Sequence, residues 1–273
     1  MNSGLSAASL FSAVPWVAGG VLLVLVLTFV ASRIAGKHSV IDTAWGLLYC
    51  AAAIAAFVCS SGHGDAWRRG LLLVLTLAWG LRLAVHIGRR SVGKPEDPRY
   101  EEMLADRGPV ETVLLVYGLQ GLLAFVISAP VVVGMFLRAG LTPLAWIGVV
   151  AWAVGLFFES VGDAQMERFK AAKSAGELPK DAVMDRGLWR YTRHPNYFGD
   201  ACVWVGLFLI CAERWPGVLT VFSPMVMIYL LAFGSGKRVL ERSMAKRPGY
   251  RDYMRRTSGF VPWPPRRTPE PSG

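Results

Sequence analysis

The stretch GLWRYTRHPNYFGD, Gly187 to Asp200, sets two arginines, a histidine, an asparagine, two tyrosines and an aspartate into a mostly apolar chain. Guanidinium groups fork onto anionic oxygens, and a carboxamide beside a carboxylate can grip hydroxyl and amide groups. Such a set suits a charged ligand. Other polar residues fall within or at the ends of apolar runs: Asp42, Arg82, His86, Gln120, Glu159 and Asp163. A charge inside a bilayer costs at least about 2.5–3.5 kcal/mol, so these groups should face a cavity or a partner. Arg82 with His86, and Glu159 with Asp163, are four residues apart and share a helix face. For one pair alone, a salt bridge between helices explains the placement as well as function does. Taken together, most fall near the side that carries the polar loops, which points to a polar cavity open to the cytoplasm.

The elements that must position these groups are membrane helices. Of 273 residues, 53% are hydrophobic and 18% charged, with mean hydropathy +0.41; a soluble domain of this length carries about 25% charge. Seven apolar runs suit spanning helices of roughly 20 residues, at about 14–35, 41–60, 70–88, 112–137, 142–163, 198–212 and 217–236. The sixth is short and can continue upstream into NYFGD. The first lacks a basic segment and a cleavage site, and reads as an anchor, not a signal peptide. The expected fold is all-α, a polytopic integral membrane helical bundle. One membrane domain spans 1–265, and a proline-rich flexible tail follows at 266–273.

Charge sets the orientation. Of the 29 lysines and arginines, 24 lie at the connections after spans one, three and five or in the tail. Arg68, Arg69, Arg138 and Arg214 lie on the other side, and Arg82 lies within span three. The N-terminus is therefore expected outside and the C-terminus in the cytoplasm. Topology and anionic lipid account for most of the +10 net charge. Basic residues that follow span parity argue against a nucleic-acid partner. The cysteines, Cys50, Cys59, Cys202 and Cys211, form no C-x-x-C pattern, so packing is expected rather than a metal site or disulfides.

From about Glu159 to Pro262, and above all at RYTRHPNYFGD, the sequence resembles the steroid 5-alpha-reductase C-terminal-domain superfamily. That superfamily includes sterol C14 and delta-7 reductases and, more distantly, the isoprenylcysteine carboxyl methyltransferases. SVIDTAWG and GKPEDPRYEEM resemble its bacterial branch, DUF1295. The resemblance implies NADPH held at the cytoplasmic ends of the later helices, with 159–262 as the cofactor-binding part. The family's asparagine, acid and tryptophan fall on Asn196, Asp200 and Trp204. Spaced by four, they line one helix face, the amide and carboxylate suited to the nicotinamide carboxamide and a ribose hydroxyl. The preceding acid and base fall on Asp163 and Lys170, and the arginine beyond the last span falls on Arg238. The motif adds Tyr191 and Tyr197, and the closing pattern falls on Tyr250, Asp252, Tyr253 and FVPW. Arg190, Arg193, His194, Lys170 and Arg238 can converge on the phosphates of NADPH. No G-x-G-x-x-G follows a strand, so side chains of helices must hold any dinucleotide. Positive-inside anchoring is the alternative for the arginines, and pinning of span six is the alternative for Asn196 and Asp200.

The function implied is an NADPH-dependent reductase at a bacterial inner membrane. Hydride would attack the β-carbon of a polarised double bond in a lipid-soluble, enone-like steroid or lipid. The steroid reductases grip the substrate carbonyl with a glutamate on an early span and a tyrosine on the next. Here Asp42 stands where the glutamate would, and the tyrosine position falls near Trp79 or Gly80. Arg82, His86 or Tyr100 is left to replace it. Asp42 can donate to the developing enolate only when protonated, and Arg82 and His86 are alternative donors. A second reading is an S-adenosylmethionine-dependent methyltransferase. RHPNY and ERSMAKRPGYRDYMRR, with Glu241, resemble the carboxyl methyltransferases almost as well. A third reading is a lipid- or sterol-binding protein without catalysis.

Overall fold

The computed structural model describes residues 5–234 and 236–266, without the side chains of Val239 and Ser243. Eleven helices and no strand are found among these residues. Their order is α1 Ala7–Ala35, α2 Val40–Cys59, α3 Ala66–Ser91, α4 Pro98–Leu104, α5 Pro109–Ile127, α6 Ala129–Met135, α7 Pro143–Ser174, α8 Pro195–Cys211, α9 Trp215–Ala232, α10 Lys237–Met244 and α11 Tyr250–Arg256. Six of them (α1, α2, α3, α5, α7 and α9) are long and apolar enough to cross a membrane, and α8 is a shorter apolar helix. The protein is an all-helical integral membrane protein. Residues 267–273, most of the expected flexible tail, lie outside the described residues.

Three boundaries differ from the apolar runs, each for a local reason. The fourth run breaks at Ser128 into α5 and α6. Pro130 stands in the first turn of α6, and proline neither donates to the preceding turn nor clears its carbonyl. Helix α7 continues beyond the apolar run to Ser174 through AQMERFKAAKS, a stretch of strong helix formers. Helix α8 starts upstream at Pro195, where proline's fixed φ suits a first helical position.

The helices fall into two compact units. The first comprises Met1–Ile147 and Leu207–Ser223, and the second Gly148–Gly206 and Pro224–Gly273. In the first, α1 and α3 pack on α2, whose buried face carries Ala44, Gly46, Ala52, Ala53 and Ala56. Small residues let helix backbones approach where lipid offers no hydrophobic drive. The approach is tightest at Gly46 and Gly80: a Cβ on Gly80 would lie 2.6 Å from the carbonyl oxygen of Gly46. At the other end of α3, the fully buried Arg68 pairs with Glu213 at 2.5 Å. Arg68 also donates to the carbonyls of Ala139, Gly140 and Ile210. Glu213 in turn accepts from the amides of Thr142 (2.7 Å) and Ala145 (3.0 Å). This carboxylate thus caps the orphan donors at the start of α7.

The second unit is organised by a glycine seam. Gly148, Gly155 and Gly162 recur every seven residues on α7, and Gly199 and Gly206 do so on α8. A Cβ on Gly199 would lie 2.5 Å from the oxygen of Gly155 and 2.6 Å from the nitrogen of Glu159. One on Gly206 would lie 2.5 Å from the oxygen of Gly148, and one on Gly162 would lie 3.0 Å from Pro195. The two backbones touch along the whole seam.

Gly199→Val should therefore lower the melting temperature in detergent sharply, since overpacking costs about 1–3 kcal/mol even against movable side chains. Gly19→Ala, where a Cβ meets nothing within 4 Å, serves as the control and should not destabilise. Equal melting of the two variants would mean that α7 and α8 are not in backbone contact.

Candidate functional site

Two polar clusters carry the expected site residues, one in each unit. In the first unit, GKPEDPRY forms a tight connection between α3 and α4. Asp97 caps α4, accepting from the Arg99 amide at 2.9 Å, and Pro98 takes the first helical position. Glu96 accepts from the amides of His38 and Ser39 (the latter at 3.0 Å) and so caps α2. This loop delivers two side chains to Asp42, in the first turn of α2. The hydroxyl of Tyr100 donates to Asp42 Oδ1 at 2.6 Å, and Arg99 donates to Asp42 Oδ2 at 3.1 Å. Of the three residues offered as replacements for the family's tyrosine, Tyr100 is the one whose hydroxyl is hydrogen-bonded to Asp42.

Burial, then the negative charge of Asp42, raises the Tyr100 phenol well above its ordinary value, so it stays a proton donor across the working pH range. Burial opposes ionisation of Glu96, but the hydrogen bonds from Ser39, His38 and Asp97 outweigh it and hold the group below its ordinary range. Tyr100 packs in a buried cluster with Ile41, Ala44, Val116 and Tyr117. Tyr117 lies on the π-helical turn Leu114–Gly118 and donates to Ser32 Oγ at 2.6 Å. Arg82 and His86 lie half-buried in the C-terminal half of α3. Gln120 lies on α5, its side-chain oxygen buried.

In the second unit, the glycine seam sets the polar end of α7 against the start of α8. Glu159 lies on the seam itself, between Gly155 and Gly162, and is 3% exposed. Asp163 is buried one position beyond Gly162 and accepts from Asn196 Nδ2 at 3.3 Å. Asn196 Oδ1 in turn accepts from the Tyr197 amide at 3.1 Å. The expected amide and acid therefore meet across the two helices. Asp200 follows one turn on, and Trp204, fully buried, a further turn on the same face. Lys170 and Arg238 are exposed, the first on the polar extension of α7 and the second on α10.

Arg193 and His194 are engaged within the fold. Arg193 Nε donates to Glu241 Oε1 at 2.8 Å, and its NH1 donates to the carbonyls of Met254 (2.9 Å) and Thr257 (2.5 Å). His194 Nε2 lies 3.0 Å from the same oxygen of Glu241, and its ring stacks on Tyr197 with centroids 5.1 Å apart. The Arg193 amide donates to Ser258 O, Thr192 donates to Phe260 O, and Trp263 N donates to Tyr191 O. Tyr253 donates to Trp189 O at 2.5 Å and packs edge-on to Tyr250. These contacts fasten the non-helical C-terminal segment to the motif. Sequence reading assigned the motif's polar groups outward, to a ligand. The signal it passed over is the non-helical SGF segment, Ser258–Phe260, whose carbonyls need donors.

Burial lowers the pKa of His194, against the pull of Glu241, so the ring is neutral at neutral pH and Nε2–H is the donor to Glu241. Glu241 feels the opposite balance: burial raises it, but hydrogen bonds and charge from His194 and Arg193 bring it down to about 2. The depressed folded-state value means that Glu241 contributes its full stability above the ordinary carboxylate value of 4.5. Stability is lost as pH falls from there towards 2. Glu241→Gln should flatten this acid limb of the melting-temperature profile and lower the melting temperature at neutral pH. An unchanged limb would remove Glu241 from the account.

The donor set suits a nicotinamide dinucleotide: an oriented carboxamide, carboxylates for hydroxyls and exposed cations for phosphates. Among the described residues, no group of three or more His, Cys, Asp or Glu side chains is placed to hold a metal ion. The four cysteines are free. No curated protein and no solved structure matches the chain. Residues 28–257 match the family described as "Protein of unknown function (DUF1295)", and with most of its length matched the chain belongs to that family.

Proposed function

We propose that this DUF1295 protein is an integral membrane, NADPH-dependent reductase of the steroid 5-alpha-reductase type. It would reduce a polarised carbon–carbon double bond in a lipophilic substrate. The observation that carries the reading is the 2.6 Å hydrogen bond from Tyr100 to Asp42, an acid and a phenol together on early elements. The resemblance calls for such a pair around a substrate carbonyl. Support for the cofactor comes from the second unit, where Asn196 meets Asp163.

NADPH, when bound, supplies a hydride. The chain's own residues have four tasks. Asn196, held by Asp163 and by the Tyr197 amide, would orient a carboxamide, and Asp200 would take a ribose hydroxyl. Lys170 and Arg238, both exposed, would meet phosphate oxygens. Tyr100 would turn its hydroxyl to the substrate oxygen and stabilise the charge that develops there. Asp42, held by Arg99, would keep the phenol in position and in its protonated form. The N-terminus lies outside and the site's polar blocks lie in the cytoplasm, following the lysine and arginine bias.

The first test is a titration of NADPH and of S-adenosylmethionine into the purified protein in detergent. NADPH should bind, and Asn196→Ala should weaken it by about tenfold or more while the protein stays folded, as expected for a lost hydrogen bond to a buried polar group. Tight S-adenosylmethionine binding that needs Asn196 would replace this reading with the methyltransferase. Binding of neither cofactor would leave the non-catalytic lipid-binding protein.

The second test is Tyr100→Phe with a lipophilic α,β-unsaturated ketone, followed by NADPH oxidation. The variant should keep its NADPH affinity and lose about 10²–10³ in turnover, the usual effect of removing one oxyanion donor. Full turnover without the hydroxyl would sink the role given to Tyr100.

A further inference from the structure

A cleft of about 510 Å³ lies beside the 3-10 turn Gly187–Arg190 in the second unit. Asp185, Arg186, Arg190, Arg256, Thr257 and Arg266 line it. The basic side chains come from two stretches distant in sequence, 185–190 and 256–266, joined by the Arg256–Asp185 ion pair and by the Tyr253 hydroxyl donating to the carbonyl of Trp189 at 2.5 Å. Charge is only partly balanced within it. Asp185 pairs with Arg256 at 2.5 Å, and among the described residues Arg186, Arg190 and Arg266 make no ion pair. Three exposed guanidinium groups thus face one cleft in which, among the described residues, the one lining carboxylate, Asp185, is already taken. Such an array should repel itself unless an anion with several oxygens sits among the forks.

The residues bordering the cleft identify the class of anion. Tyr191, next to Arg190, is 43% exposed, and Trp263, 69% exposed, lines an adjoining cleft that shares Arg256, Thr257 and Arg266. The Trp263 amide donates to the Tyr191 carbonyl at 2.9 Å, so the two backbones meet at this point. Exposed tyrosine and tryptophan beside arginines, four residues ahead of the apolar helix α8, is the composition of a bilayer–water boundary. A cleft for a freely soluble anion needs no exposed apolar rim.

We propose that this cleft binds the phosphate headgroup of an anionic phospholipid, with Arg186, Arg190 and Arg266 around the phosphate and Tyr191 and Trp263 at the headgroup level. The proposal does not rest on the reductase reading. It assigns Arg190 to the lipid when the protein is in its membrane. A phosphate group is the shared chemistry of two sources, a lipid headgroup and a soluble phosphate compound, and the rim favours the lipid.

The protein is reconstituted in nanodiscs of equimolar phosphatidylcholine and phosphatidylglycerol, extracted with mild detergent, and the lipid retained is weighed by native mass spectrometry. Phosphatidylglycerol should be enriched in the retained lipid. Each arginine removed should cut that enrichment by about fivefold, the size of one basic contact at an anionic surface. The triple variant Arg186→Gln, Arg190→Gln, Arg266→Gln should retain no preference, and the matching lysine variant should keep part of it. Removal of the same charge elsewhere, by Arg107→Gln, Arg168→Gln and Arg251→Gln, should leave the enrichment intact. Equal loss in that control set would reduce the effect to general surface charge and overturn the site. In phosphatidylcholine nanodiscs, inorganic phosphate and NADPH are then titrated into the wild type and the triple variant. Arginine-dependent binding of either, without lipid enrichment in the first experiment, would give the cleft to a soluble ligand and overturn the lipid assignment.

Discussion

Backbone contact between α7 and α8 is the constraint on which the second unit depends. Lipid tails are as apolar as leucine, so two membrane helices gain little by hiding hydrophobic side chains from them, and close packing must supply the association. The glycines at 148, 155 and 162 and at 199 and 206 remove the side chains that would hold the helices apart. Their seven-residue period is close to two helical turns, so the seam stays on one face with a drift of only about 20° per repeat. Polar residues next to the seam inherit its register. Glu159 lies on the stripe and Asp163 follows Gly162, which is why a carboxylate on one helix finds Asn196 on the other. The candidate cofactor site is thus a by-product of glycine spacing.

The RHPNY stretch has a second task that its composition conceals. Residues 257–263 are not regular helix, and their carbonyls cannot be left without donors near a bilayer. Arg193 supplies donors from both its backbone and its side chain, and Thr192, in the preceding position, reaches Phe260. Glu241 gathers Arg193 and His194 and so ties α10 to the same point. A neutral His194 fits this arrangement better than a charged one, because burial disfavours a second proton and one N–H suffices for Glu241. The polar density that suggested a ligand is in part the cost of fastening an irregular segment to membrane helices.

This explains what could be read from the sequence. Hydropathy placed the six helices long enough to span, because spanning length and side-chain polarity act locally; of the seven expected spans, α8 is a shorter apolar helix. It ran across Ser128, since a proline such as Pro130 interrupts a helix without lowering hydropathy. It also stopped short on α7, whose last turns are held by helix propensity and not by apolar character. The spacing of Asn196, Asp200 and Trp204 was legible as one helix face, but the Asp163 partner depends on how two helices pack. The buried pair Arg68–Glu213 escaped notice, since both residues look like ordinary loop charges until Glu213 is seen capping α7.

The first unit shows how a short loop can fix an acid and a phenol beside a buried cluster. Pro95 and Pro98 bracket Glu96 and Asp97, so the backbone has few alternatives. Each acid then takes on a separate helix end: Glu96 holds the start of α2, and Asp97 holds the start of α4. Both helix starts are therefore fixed to the same dipeptide, and Asp42 and Tyr100, each in a first turn, have little freedom to separate. Arg99 completes the arrangement by satisfying Asp97 and the second oxygen of Asp42. With that oxygen occupied, Asp42 Oδ1 is the acceptor left for the phenol. The direction of the Tyr100 hydroxyl towards Asp42 thus follows from two prolines, two caps and one arginine.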